Sequence, residues 1–183
     1  MKKISFSFII FILLQNHLNA SNKDNVLEKL SKTQNISFDF IQTINGKDEK
    51  GKCIIQYPKK IFCQYEKRNN KILVSNGKSL VIKTNTSYYI YPLEKTPLNL
   101  ILNKNFLIKK IKVLKERIVD EELVNFKFIE NETEISIFFD KGTYNLIGWQ
   151  TIDIYQNLSI TFISSLNKNE EIDKNLFKLP EQN

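Results

Sequence analysis

Residues 51–102 constrain the fold more than any other stretch: strand-length pieces joined by tight turns, then a segment apolar on every side. Residues 52–57 and 60–66 flank Tyr57-Pro58 as a hairpin. Residues 71–75 and 79–84 flank Asn76-Gly77, a strong hairpin signal because both residues accept the left-handed backbone that such turns require. Residues 87–91 continue the meander. After Pro92 comes Thr96-Pro97-Leu98-Asn99-Leu100-Ile101-Leu102. Thr96 suits a helix N-cap and Pro97 the first helical position. Leu98, Ile101 and Leu102 share one face while Leu100 points the other way, so this helix is too apolar for a surface. Two readings are open for it, an ordinary buried core helix or a movable lid across a cavity in the curved sheet.

The rest of the chain completes the sheet. Residues 25–33 carry Val26, Leu27 and Leu30 at helical spacing, with Ser21 or Asp24 as the cap. Residues 37–44 alternate and put Phe38, Phe40, Gln42 and Ile44 on one face. Residues 45–48 form a turn. A second short helical turn is expected at 105–110. Strands follow at 112–119, 123–129, 133–139, 145–154 and 159–163, with polar turns at 120–122, 130–132 and 140–142. Ile135, Ile137 and Phe139 share a face, and Trp149 sits among Ile147, Thr151 and Asp153. Asn175-Leu176-Phe177 packs a last aromatic. About eleven strands in so short a chain must curl or close to bury their apolar faces. The expected fold is mainly β with helices: an unclosed antiparallel barrel with a helical lid over an apolar cavity. Phe38, Phe40, Ile55, Ile135, Ile137, Phe139 and Trp149 are the candidates to line it.

Cys53 and Cys63 are tied to the register of the first hairpin. If residues 55 and 61 pair, 53 and 63 face each other, with Cα atoms about 4.5–5.5 Å apart, which is disulfide range. A one-residue slip leaves two small buried thiols instead. No CxxC motif is present, which argues against thiol redox catalysis.

Met1-Lys2-Lys3, the apolar run 4–14 and Leu18-Asn19-Ala20 have the form of a secretory signal peptide, too short to span a bilayer. Residues 1–20 are therefore expected to be removed, leaving 21–183 as a single domain of 163 residues (183 minus 20) in an oxidising compartment. No cysteine follows the apolar run, so no acyl anchor is expected and the product would be free in the periplasm. The formal charge of +7 falls to +5 as Lys2 and Lys3 leave. Export makes nucleic acid an implausible partner for this basic chain, and favours anionic membrane surfaces or acidic proteins. His17, the only histidine, leaves with the signal. That removes Ser-His-Asp and Cys-His catalysis and every histidine metal site. Asp39, Asp140, Asp153 and Asp173 share no motif, and with five glycines a phosphate-cradling loop has little room. No enzyme activity, metal or cofactor is expected.

The order of these pieces resembles the periplasmic lipoprotein carrier family LolA. Phe40-Ile41-Gln42 is similar to its F-x-Q strand. Residues 57–65, Tyr57-Pro58-Lys59-Lys60-Ile61-Phe62-Cys63-Gln64-Tyr65, are similar to R-P-G-x-F-R-W-x-Y. Val74-Ser75-Asn76-Gly77-Lys78-Ser79-Leu80 is similar to V-S-D-G-K-x-L, and Thr96-Pro97-Leu98 through Leu102 to the lid motif T-P-x-x-L-L. Leu146, Trp149 and Asp153 fit L-x-x-W-x-x-x-D; Asp173, Leu176, Phe177 and Pro180 fit the closing D-x-x-x-F-x-x-P. The resemblance implies a monomeric carrier whose cavity shields the acyl chains of lipoproteins. It would take them from an ATP-driven inner-membrane ABC transporter and give them to an outer-membrane receptor. That receptor shares the fold but is lipid-anchored, so the missing anchor favours the carrier. A periplasmic sensor of lipids or lipoproteins with the same fold is the alternative. The resemblance makes Leu98, Leu100, Ile101 and Leu102 the lid. Tyr57 stands at the latch, where the family has arginine, and Pro58 and Ile61 at the cavity mouth or transporter contact. Ile61 replaces the family's phenylalanine, and Cys63 its tryptophan.

Overall fold

The computed structural model describes residues 20–66, 69–152 and 156–182. The expected signal peptide lies outside these residues except for Ala20. Among the described residues, eleven strands form one antiparallel sheet that does not close. They are β1 (Asn35–Ile44), β2 (Lys47–Gln56), β3 (Lys60–Tyr65), β4 (Ile72–Asn76), β5 (Ser79–Lys83), β6 (Tyr88–Pro92), β7 (Arg117–Val119), β8 (Leu123–Glu130), β9 (Thr133–Asp140), β10 (Leu146–Ile152) and β11 (Leu158–Lys168). Their order is 6-5-4-3-2-1-11-10-9-8-7. Every neighbouring pair is consecutive in sequence except β1 and β11, which join two meandering wings along one seam. The edges are β6 and β7, so the chain between them must pass from one edge of the sheet to the other. Helices α2 (Leu98–Leu102) and α3 (Lys104–Val113) make that crossing. A further helix, α1 (Asn22–Lys32), precedes the sheet.

Strand alternation sets the concave face. Ile36, Phe38 and Phe40 of β1 share it with Cys53 and Ile55, Val124 and Phe126, and Ile135, Ile137 and Phe139, all buried. Val26 and Leu30 of α1, Ile101 and Leu102 of α2, and Leu107 and Ile111 of α3 pack into the same cluster. Gly51 is needed within it. A Cβ there would lie 2.2 Å from the Gln64 carbonyl oxygen, and the bare backbone lets the rings of its two strand partners, Phe40 and Tyr65, meet edge-on at 5.1 Å.

α1 and α3 cap each other. At the start of α1, Glu116 accepts hydrogen bonds from the Lys23 backbone N–H at 2.7 Å and from Asn22 at 3.2 Å. At its end, Lys104 donates to the Ser31 and Thr33 carbonyls at 3.2 and 2.6 Å. Lys23 in turn donates to the Leu114 carbonyl, 3.2 Å away, beyond the end of α3. Each charge faces the helix end whose dipole it complements. Both cap residues expected for α1 are used, as a reciprocal box: Ser21 Oγ accepts from the Asp24 N–H, and Asp24 accepts from the Ser21 N–H.

The C-terminal segment straps the outer face. Phe177 is buried, Lys60 lies 5.7 Å from its ring, and Tyr88 Oη donates to the Pro180 carbonyl at 3.1 Å. The last aromatic therefore packs as expected, over the side of the sheet that buries Val74 and Val81.

Several expected boundaries move. Residues 47 and 48, expected in a turn, open β2, which starts five residues before the expected 52, because Asn45 and Gly46 alone turn the chain with φ of 50° and 74°. Residues 112 and 113 continue α3, and the strand expected at 112–119 shrinks to β7. The helix expected at 105–110 runs from Lys104 to Val113. Thr96 makes no side-chain cap; its hydroxyl donates back to the Leu93 carbonyl at 2.8 Å. An irregularity in β10 between Leu146 and Gly148 puts Leu146, not Ile147, on the face of Trp149. Asp153 lies outside the described residues.

The cysteine register is the expected one. Cys53 pairs with Cys63, their Cα atoms are 4.1 Å apart, and they form a disulfide. The bond closes a short loop, so replacing both cysteines by serine should lower stability by about 2–3 kcal/mol with far-UV circular dichroism unchanged. Urea unfolding with and without a reductant checks this; coincident curves would rule it out.

Candidate functional site

The helices fill only part of the concave face. Beside them lies a cavity of ≈ 170 Å³, walled by β1, β3, β4, β5, β10 and β11 and bounded by Thr96, Pro97 and Leu98. Phe40, Ile44, Ile61, Leu73, Leu80, Ile82 and Trp149 give it an apolar lining, and the Cys53–Cys63 pair faces it. Ligand pockets commonly run to about 300–1,000 Å³. This one is smaller.

α2 has two unlike sides. Ile101 and Leu102 are 1% and 0% exposed and anchor it to the core, while Leu98 is half-buried and lines the cavity. Leu100 is half-buried and lines a neighbouring groove beside Asn99 and Thr133. The Leu102 carbonyl accepts a 3.0 Å hydrogen bond from the Lys59 N–H. After it, Asn103 leaves helical geometry (φ −92°, ψ 84°) and caps α3 by accepting from the Phe106 N–H at 3.2 Å. A non-helical residue thus separates α2 from the firmly capped α3.

Tyr57 lies beyond the end of β2, on the helix side. Its ring packs against the core with Lys104 5.8 Å from its centroid, and burial holds its hydroxyl above the ordinary tyrosine range. Among the described residues that hydroxyl makes no hydrogen bond to α2. The bond to α2 comes from the backbone two residues later. Lys59 has φ 68°, the left-handed region that glycine adopts most easily, at the position where the family pattern has glycine. Pro58 is exposed in the same turn.

The other candidates separate. Phe40, Ile61 and Trp149 line the cavity and are also buried members of the core cluster. Phe38, Ile55, Ile135, Ile137 and Phe139 share the concave face but are packed in the core cluster, Phe38 edge-on to Trp149 at 6.4 Å. A polar wall went unmarked in the sequence. Gln42 Nε2 donates to Ser159 Oγ at 3.0 Å and Thr161 Oγ1 at 3.3 Å, and Gln42 Oε1 accepts from Tyr65 Oη at 3.4 Å. Lys71 pairs with Glu49 at 2.6 Å and sits 4.0 Å from the Tyr65 ring centroid. Burial, and then the Glu49 charge, raise the Tyr65 hydroxyl. Gln42 alone carried a signal, as a polar residue on an otherwise apolar strand face.

The family model described as "Outer membrane lipoprotein carrier protein LolA" matches residues 31–180. No curated protein sequence matches the chain. Among solved structures, an uncharacterized conserved protein from Thermus thermophilus is similar, with TM-score 0.51 and 8% identity over 86% of this chain and 91% of that one. A LolA superfamily protein from Nitrosomonas europaea gives TM-score 0.44 and 8% identity over 87% and 99%. The Pseudomonas aeruginosa MucA/MucB complex gives 0.49 and 12% over 88% and 62%. At these identities the likeness concerns the fold.

The two faces of α2 should separate in stability. Leu102→Ala removes a fully buried side chain and should cost about 2–5 kcal/mol. Leu98→Ala, already half in the cavity, should cost about 1 kcal/mol or less. Chemical denaturation of both variants checks this, and equal losses would show that α2 is anchored uniformly.

Proposed function

The chain belongs to the LolA family of outer membrane lipoprotein carrier proteins, and from that premise we propose that it shields the acyl chains of lipoproteins in transit between two membranes. The observation that carries this reading is the apolar cavity on the concave face, bounded by a short helix with one buried and one cavity-facing side. Each methylene removed from water contributes roughly 0.8 kcal/mol, so acylated cargo cannot cross an aqueous space exposed. A carrier must also hide its own apolar surface when empty. Leu98 does so in the closed form, and its displacement would enlarge the cavity for cargo.

In this reading residues 1–20 direct export and are removed, and the remainder works in the periplasm as a monomer. An ATP-driven inner-membrane transporter supplies cargo, and an outer-membrane receptor takes it. ATP is consumed by the transporter. Leu98, Leu100, Ile101 and Leu102 act as the lid; Tyr57 and the adjoining Lys59 N–H occupy the latch region. Pro58 lies on the exposed turn where a transporter would dock, and Ile61 lines the cavity. Among the described residues no helix is long and apolar enough to cross a membrane.

The test uses the chain without residues 1–20 and inner-membrane vesicles holding a triacylated lipoprotein with its transporter. Adding ATP should release a soluble one-to-one complex. Leu98→Glu, half-exposed in the closed form, should fold normally and lower the yield at least about tenfold by placing a charge against the acyl chains. An ATP-independent lipid complex with no lipoprotein transfer would instead identify a sensor or general lipid-binding module.

A further inference from the structure

The polar wall of the cavity has no role in the reading above. A container for alkyl chains alone does not need it, because polar groups lining an apolar space cost free energy unless they are paired. Its position is definite. The Leu102 carbonyl is bonded to Lys59, just before β3, whereas Tyr65 ends that strand and pairs across Gly51 with β1, near Gln42. The wall therefore lies at the opposite end of β3 from the lid's backbone bond.

We propose that this wall is a subsite for the carbonyl linkage, ester or amide, at the head of an acyl chain lying in the cavity; the proposal rests on the container reading. The hydrogen bonds on the page give the sign of the ligand group. Ser159 Oγ and Thr161 Oγ1 each accept from Gln42 Nε2, so each keeps its own O–H to donate. Lys71 has three N–H donors, of which Glu49 takes one. The wall is rich in donors, and the group it suits is an acceptor. Charge narrows the choice. Lys71 and Glu49 neutralise each other at 2.6 Å, with side chains 20% and 10% exposed. A neutral carbonyl oxygen fits such a pair better than a phosphate or a free carboxylate. Gln42 holds the two hydroxyls in place, and Tyr65 holds Gln42.

The test compares a monoacylglycerol with its alkyl ether analogue of equal chain length. The two differ only at the carbonyl. Both are titrated calorimetrically, below micelle formation, into the chain without residues 1–20. The ester should bind about tenfold more tightly, the value of one or two hydrogen bonds to a site with a charged donor. Two paired variants follow. Lys71→Met with Glu49→Leu removes both charges together, so neither is left buried alone. Ser159→Ala with Thr161→Val removes the hydroxyls. Each should erase most of the ester preference while leaving ether affinity within about twofold, and that affinity reports an intact cavity. Equal binding of ester and ether to the unaltered chain, or a preference that survives in both variants, overturns the subsite alone. Failure of both lipids to bind removes the container reading and the subsite with it.

Discussion

The mutual capping of α1 and α3 is the constraint on which the rest of the structure depends. Glu116 and Lys104 reach the two ends of α1, and Lys23 reaches back to the end of α3. Each such contact contributes only about 0.3–1 kcal/mol. Their importance is geometric, since together they hold two antiparallel helices in one position over the core. Between β6 and α3 lies a shorter segment that shares none of these capping contacts. That segment is α2. The break at Asn103 separates it from α3.

The concave face divides along the same line. Where the helices lie, Phe38, Ile55, Ile135, Ile137 and Phe139 form a packed core. Beside the helices, Phe40, Ile61 and Trp149 belong to the same buried cluster and also line the cavity. One alternating strand, β1, serves both regions, with Ile36 and Phe38 under the helices and Phe40, Gln42 and Ile44 along the cavity. Phe40, Cys53, Ile61, Cys63, Leu80 and Trp149 lie at the boundary, in the core cluster and in the cavity wall at once.

Much of this was legible in the sequence. Period-two alternation and turn residues gave the strands and their number, while the hairpin left the cysteines two registers, of which the structure has the facing one. What failed has physical causes. Lys47 and Asp48 look like part of a turn because their side chains face solvent, yet their backbone pairs with β1. Ile111 and Val113 alternate with lysines like a strand, but α3 runs on to Val113, where Lys23 from α1 meets its end. The irregularity before Gly148 reverses the facing of Ile147 through backbone geometry that composition does not encode. Division of the concave residues into core and cavity depends on where the helices settle. The polar wall joins Gln42 to Ser159 and Thr161, partners 117 and 119 residues away, and no local pattern reveals such a pairing.

The single seam between the wings has a consequence for how the chain acquires its structure. Within each wing every strand pairs with a sequence neighbour, so each meander can assemble from short-range contacts. The β1–β11 ladder is different: Ile44 meets Ser159 and Ile36 meets Lys168. Such distant pairing pays a large loop-closure entropy and is slow to form. As the chain emerges from its N-terminus, β1 is an unpaired edge until the last strand arrives. For that interval Ile41, which remains 40% exposed in the finished sheet, lies on a strand open to pairing with other chains.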